Sequence, residues 1–236
     1  ITAYSEDRKN LGSLMVFDRE SGEYLATLGM KKESHLGGIA FDGENVWICH
    51  SNSNTLERIS YEYITKIAQD APEYCIDASA LSDEYRLKNT PSCITCYGGR
   101  LWVATHTRFF DSEVYSYSYD KKEDKLTAVS NYNLPSKVQG VAFDDNGSIY
   151  LSTSYGRNNS SYLKVYSSLL SLDKKPNEPK VKVEMPPCSE EVAIADGTVF
   201  VLFESASAKY FEGTDGMGKS PAPIDKLLEV SVASIW

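Results

Sequence analysis

"GGIAFDGENVWICHSN", residues 37–52, is the stretch whose reading decides the fold. A short alternating strand runs into a turn at Asp42 and Gly43, and Trp47-Ile48 then opens a second strand. The same layout returns in "SCITCYGGRLWVATHT" (92–107), "QGVAFDDNGSIYLSTSY" (139–155) and "EEVAIADGTVFVLFES" (190–205). In these the opening pairs are Trp102-Val103, Tyr150-Leu151 and Phe200-Val201. They are copies of one antiparallel hairpin.

Working outward, each hairpin is followed by a polar loop and a third alternating strand: "TLERISY", "EVYSYSYD", "YLKVYSS" and "KLLEVSV". Fourth strands are read at "KLTAVSNYNLP" and "PKVKVEMP". The N-terminus supplies a partial copy, with "ITAYS" as a second strand, "SLMVFDRES" as a third and "EYLATLGM" as a fourth. A unit of roughly 50 residues made of four antiparallel strands is the size of a propeller blade. One such sheet cannot bury both faces, so it must stack on its neighbours. The prediction is an all-β, five-bladed β-propeller forming a single domain over 1–236. Its blades fall near 1–34, 35–89, 90–135, 136–186 and 187–236.

The chain starts at Ile1 inside strand-like sequence, with neither an initiator Met nor a signal peptide, which predicts an upstream segment and an incomplete first blade. The alternative is that "VSVASIW" at the C-terminus pairs with the N-terminal strands. A short helical insertion is predicted around 64–87, where helix-compatible patches are broken by Pro72.

Composition bounds the partners. The net charge of −9 argues against nucleic acid, whose phosphates need a basic surface. No apolar run approaches the ~20 residues of a transmembrane helix. Five cysteines at 49, 75, 93, 96 and 188 include one C-x-x-C, "CITC". Residues three apart on a strand face opposite sides, so a metal or redox site there is disfavoured. A Cys75–Cys188 disulfide is one pairing the numbers allow.

The repeat also predicts which polar side chains share one face. Leading into the first strands stand His35, Gly37, Ser92, Gln139, Glu190 and Glu191, and at the ends of the second strands stand Tyr4, Ser51, His106, Ser154 and Glu204. The loops beyond add Arg8, Arg108, Arg157 and Lys209. This mixed-charge ring suits a polar small molecule, a glycan or a protein segment, with arginine's planar fork suited to carboxylates. The glycine- and proline-containing loop 204–226 is too long for a hairpin turn and reads as a lid over the face, with Tyr210 and Phe211 as its apolar anchor. "GTDGMGK" lacks the spacing of a phosphate loop, and no G-x-S-x-G elbow occurs.

The stretches "HLGGIAFDGENVWI", "STSYGRNNSSYLKVY", "VLFESASAKY" and "KSPAPIDKLL" together resemble a group of poorly characterised β-propellers exported by Gram-positive bacteria. More distantly the chain is similar to NHL, YncE-like and SMP-30/gluconolactonase propellers. The resemblance implies an extracellular or cell-surface location of a bacterial protein, and the polar face itself is read as a binding site without a cofactor. Its distant arm implies an alternative, a lactonase or hydrolase whose divalent metal would be held by Glu190, Glu191 and Glu204. The two Asn and one Asp of that family's metal site are not matched, since Gly37 and Ser92 stand at inner positions.

Overall fold

One aspartate fixes each of two turns and the strand that follows. In this computed structural model, which describes residues 1–4, 10–32, 35–70 and 72–236, Asp42 Oδ1 accepts the N–H groups of Glu44 and Asn45 at 2.8 and 2.7 Å. Its Oδ2 accepts the Trp47 indole N–H at 2.7 Å. Asp144 repeats the device, taking the N–H groups of Asn146 and Ser148 at 2.9 Å and the Tyr150 hydroxyl at 3.3 Å. In the copy at 92–107, which has no Asp in its turn, Trp102 donates to the Tyr97 carbonyl at 3.0 Å. Each aromatic therefore enters the interior with its polar tip satisfied.

Five sheets grow from these hairpins. In a first compact unit, residues 1–103 with 117–129, β1 (Thr2–Ala3), β2 (Leu11–Phe17) and β3 (Tyr24–Lys32) form one sheet. The next contains β4 (Leu36–Phe41), β5 (Asn45–His50) and β6 (Thr55–Ser60), and β6 continues into helix α1 (Tyr61–Asp70). After the helix, β7 (Ile76–Asp77) joins the first sheet parallel to β3, and β8 (Asp83–Arg86) completes the second sheet beside β6. A third sheet has the order β12-β11-β10-β9, from β9 (Cys93–Tyr97), β10 (Arg100–Ala104), β11 (Ser112–Asp120) and β12 (Lys125–Leu134).

The second unit comprises residues 104–116 with 130–236. Its fourth sheet is β13 (Val138–Phe143), β14 (Ile149–Thr153), β15 (Ser161–Tyr166) and β16 (Val181–Met185), with α2 (Leu169–Lys174) between the last two strands. Its fifth is β17 (Ser189–Ala195), β18 (Thr198–Phe203) and β19 (Leu228–Ser231), with the four-residue helix α3 (Ala208–Phe211) between β18 and β19. The fold is a five-bladed β-propeller of antiparallel sheets, as the repeat predicts.

Each unit has its own core. In the first, Leu14, Leu28, Met30, Ile48 and Ile59 pack with Ile64 of α1 and Ala78. In the second, Tyr150, Leu163, Val165, Val192, Val201 and Phe203 pack together. Every residue of β14 is buried, and all of β5 except Asn45, because a middle strand is covered on both faces.

The first strands need glycine where the next first strand approaches. A Cβ at Gly37 would lie 2.5 Å from the Ser92 carbonyl oxygen, and one at Gly140 2.5 Å from the Val192 nitrogen.

Three details differ from expectation. The insertion is a helix beginning at Tyr61, earlier than 64, and its second half is strand: Tyr85 and Leu87 are buried in alternation, which suits β8 better than a helix. "VSVASIW" ends its strand at Ser231, turns through a short 3-10 segment and places the Trp236 indole N–H 2.9 Å from the Tyr150 hydroxyl. None of the five cysteines is in a disulfide, so the Cys75–Cys188 pairing is not formed.

Candidate functional site

A β-bulge recurs where the first strands begin. The register slips between Leu36 and Ile39 in β4, between Val138 and Gly140 in β13, and between Ser189 and Val192 in β17. Bulges re-aim side chains, and the residues inside these slips are Gly37 and Gly38, Gln139, and Glu190 and Glu191. The lead-in residue and the end of the second strand share one hydrogen bond in all three blades. Ser51 N–H meets the His35 carbonyl at 3.3 Å, Ser154 N–H the Lys137 carbonyl at 2.9 Å, and Glu204 N–H the Cys188 carbonyl at 2.9 Å. Lys137 and Cys188 adopt positive φ, 68° and 67°, to make the turn.

Within the second unit these devices assemble a carboxyl cluster. Gln139 Nε2 donates to Glu190 Oε1 at 3.1 Å, and the Glu190 and Glu204 carboxyls are close neighbours. Lys209 Nζ donates to Glu204 Oε1 at 3.1 Å and lies 4.5 Å from the Tyr210 ring centre. Glu191 Oε1 accepts the N–H groups of Val141 and Val192 at 3.3 and 3.1 Å, so it ties β13 to β17.

The electrostatics follow from crowding. Desolvation, then the charge and hydrogen bond of Glu204, then Glu191, push Glu190 well above the ordinary carboxyl range against the pull of Lys209. Glu190 therefore keeps its proton to a higher pH than a separate carboxyl would. Burial, with Glu204 and Glu190 nearby, pushes the Cys188 thiol up to about 11.

Loop 204–226 is ordered over this cluster. Arg157 is its anchor, with Nη2 2.5 Å from Asp215 Oδ2 and Nη1 donating to Asp215 Oδ1 at 3.2 Å, to the Lys209 carbonyl at 3.1 Å and to the Gly218 carbonyl. The Arg157 guanidinium also lies 4.9 Å from the Tyr210 ring centre. Its hydrogen bonds hold the Asp215 carboxyl below the usual range. Ser220 Oγ donates back to the Arg157 carbonyl at 3.1 Å, and Ile224 N–H to Ser205 Oγ at 3.0 Å.

The other residues of the expected ring take separate places. In the first unit Tyr4 and His35 rings sit 4.4 Å apart, and Arg8, with Glu6 and Asp7, lies outside the described residues. In the second, His106 Nδ1 is 3.1 Å from the Val138 carbonyl, and Arg108 stacks on Tyr155 and Phe109. Ser154 is buried, its hydroxyl taking a hydrogen bond from Ser161 Oγ at 3.0 Å. His50 pairs with Glu57 in the interior of the first unit at 2.5 Å.

Sequence reasoning missed Asp215's tie to Arg157. Nothing in the spacing of a 23-residue loop marks one of its acids as the partner of an arginine 58 positions earlier. Among the described residues no three His, Cys, Asp or Glu side chains converge as a metal-binding set. The glutamates fit a metal poorly as they stand, because Glu191 Oε1 is taken by two N–H groups and Glu190 by Gln139 and Glu204. No described helix is long and apolar enough to cross a membrane.

No family model and no curated protein matches the chain. Several solved structures of β-propeller proteins are similar in fold. The Kuenenia stuttgartiensis hydrazine synthase has a TM-score of 0.43 at 11% identity, over 80% of this chain and 49% of that one. The chain in a nidogen/laminin complex has a TM-score of 0.49 at 12% identity, over 95% and 70%. BamB from Moraxella catarrhalis has a TM-score of 0.39 at 11% identity, over 100% and 56%. The chain thus spans about half the length of the first of these.

Proposed function

We propose that this chain is a non-catalytic binding propeller that recognises a polar ligand, whether small molecule, glycan or protein segment, at the Glu190–Glu204 cluster beneath loop 204–226. The observation that carries this is the meeting of Glu190 and Glu204 beside Gln139 and Lys209, where crowding raises the Glu190 carboxyl above its ordinary range. A protonated carboxyl can donate, its partner can accept, and an ammonium and an amide stand on either side. Closely set donors and acceptors of this kind match adjacent hydroxyls or a carboxylate-hydroxyl pair. The anchored loop supplies a preformed cover, which lowers the ordering cost of binding. The quoted resemblance to exported propellers supports placing the protein outside the cell or at the surface of a bacterium.

The test is a glycan and small-polyol array read with wild-type protein and with Glu204→Gln. Binding by wild type that the variant loses supports the reading. Calorimetric titration of calcium, zinc and manganese into chelator-treated protein addresses the lactonase alternative. Saturable metal binding abolished by Glu204→Ala would replace the binding module with the metal-dependent hydrolase.

A further inference from the structure

A chain of net charge −9 carries a cationic strip in its second unit that nothing in the carboxyl cluster explains. Arg108 lies 4.4 Å from the centre of the Tyr155 ring, and Lys137 lies 5.7 Å from the same ring. Lys164 of β15 and Lys182 of β16 are directly opposed across the antiparallel pair, and Lys182 sits 3.8 Å from the Tyr162 ring centre. Among the described residues none of these four cations makes an ion pair.

Like charges set directly opposite each other destabilise a sheet. Lysine on an edge strand is a common guard against aggregation, and β16 is such an edge. That account covers Lys182 and fails for Lys164, which is half-buried on an inner strand. Burial, with Lys182 and Lys137 nearby, lowers Lys164 from the ordinary lysine range, and Asp111 only partly opposes this. An anion bound at the strip would relieve the repulsion.

The same surface displays apolar side chains. Phe109 and Phe110 are 71% and 78% exposed at the tip of the loop before β11. That loop is pinned by the Lys137 N–H to Thr107 carbonyl bond at 2.7 Å, the Ser112 hydroxyl on the Thr105 carbonyl at 2.5 Å, and the Thr107 hydroxyl on the Phe110 carbonyl. Asp111, at the loop's end, accepts from Asn177 at 3.3 Å.

We propose that Arg108, Lys137, Lys164 and Lys182, with Phe109 and Phe110, form a docking strip for an acidic protein segment whose carboxylates are interspersed with apolar side chains. Charge complementarity selects an anion. The rings select a peptide over an acidic glycan, because cations already sit over Tyr155, Tyr162 and Phe109, where a sugar would stack. The exposed phenylalanines call for apolar partners, which a glycan lacks. Aromatic and arginine anchors are also those that dominate protein interfaces.

The experiment is fluorescence anisotropy of a labelled peptide of Glu-Glu-Leu repeats with the whole chain at low and high salt. Polygalacturonate and anionic phosphatidylglycerol vesicles serve as rival probes. The expected result is peptide binding that weakens with salt and falls by roughly tenfold in Lys164→Gln/Lys182→Gln, as loss of one half-buried and one exposed charge contact allows. A comparable fall is expected in Phe109→Ser/Phe110→Ser, with Lys66→Gln, an exposed cation of α1, unchanged. If the lysine variant melts early, Arg108→Gln/Lys137→Gln, both exposed positions, replaces it. No peptide binding at low salt, binding indifferent to the phenylalanines, or preference for either rival probe would overturn the assignment.

Discussion

Replacing Gly140 with Ala tests the packing that carries the carboxyl cluster. The added Cβ would lie 2.5 Å from the Val192 nitrogen and 2.8 Å from both the Glu190 carbonyl oxygen and Glu191 Oε1. The first two are backbone atoms of the facing strand, so no side chain can swing away, and β13 and β17 must part by roughly an ångström to reach ordinary contact. Overpacking of this kind costs about 1–3 kcal/mol, offset by the ~0.4–1 kcal/mol that alanine gains by restricting the unfolded chain. A net loss of about 1–2 kcal/mol lowers the melting temperature by roughly 2–8 °C in a chain of this size. The assay is thermal unfolding by circular dichroism, with Gly12→Ala as comparison. There the Cβ meets only the flexible end of Leu36, so the loss should be smaller. If Gly140→Ala melts with wild type, or no lower than Gly12→Ala, the close approach of β13 and β17 is wrong.

Four further outcomes are expected. Glu190 in the folded chain keeps its proton to a higher pH than the ordinary 4.5, so the folded state binds more protons in the window above that value and loses stability as pH rises through it. Melting curves from pH 4 to 8 should therefore show Glu190→Gln matching wild type at the acid end and exceeding it at the alkaline end. Asp42→Ala leaves the Trp47 indole and the turn's N–H groups without their acceptor, and chemical denaturation should register a loss of about 1–3 kcal/mol. Glu57→Ala removes a buried hydrogen-bond partner of His50 and the acceptor of Ser82, a loss of roughly 2–4 kcal/mol in the same assay. Arg157→Ala releases the loop, and limited trypsin digestion should cut at Lys209, Lys219 or Lys226 faster than in wild type, with the rest of the chain cut no faster.

The fold was legible because the hairpin is self-contained. Asp42 and Asp144 announce the turn, and Trp47, Trp102 and Tyr150 announce the strand behind it, all within a few residues. Strand β7 was not legible, since two residues pairing in parallel with β3 leave no periodicity to read. The start of α1 was misplaced because Tyr61 and Tyr63 read equally well as a continuation of β6. For the site, the hydrogen bond that joins lead-in to second-strand end in three blades runs through His35, Lys137 and Cys188, of which the repeat alignment names only His35. The alignment could not show the bulges, which shift the register without altering the alternation on either side.

Where local rules are broken, the repeat ceases to explain the residues. A neutral residue at 190 would spare the cluster its crowded carboxyls, and a neutral residue at 164 would spare the sheet its opposed lysines. Both departures lie in the second unit, on hairpins whose turns and cores otherwise obey the shared pattern. Stability alone would favour removing them. Their positions, one beneath an anchored loop and the other beside a pinned loop tip with two exposed phenylalanines, give each a surface at which a ligand could recover what the fold gives up.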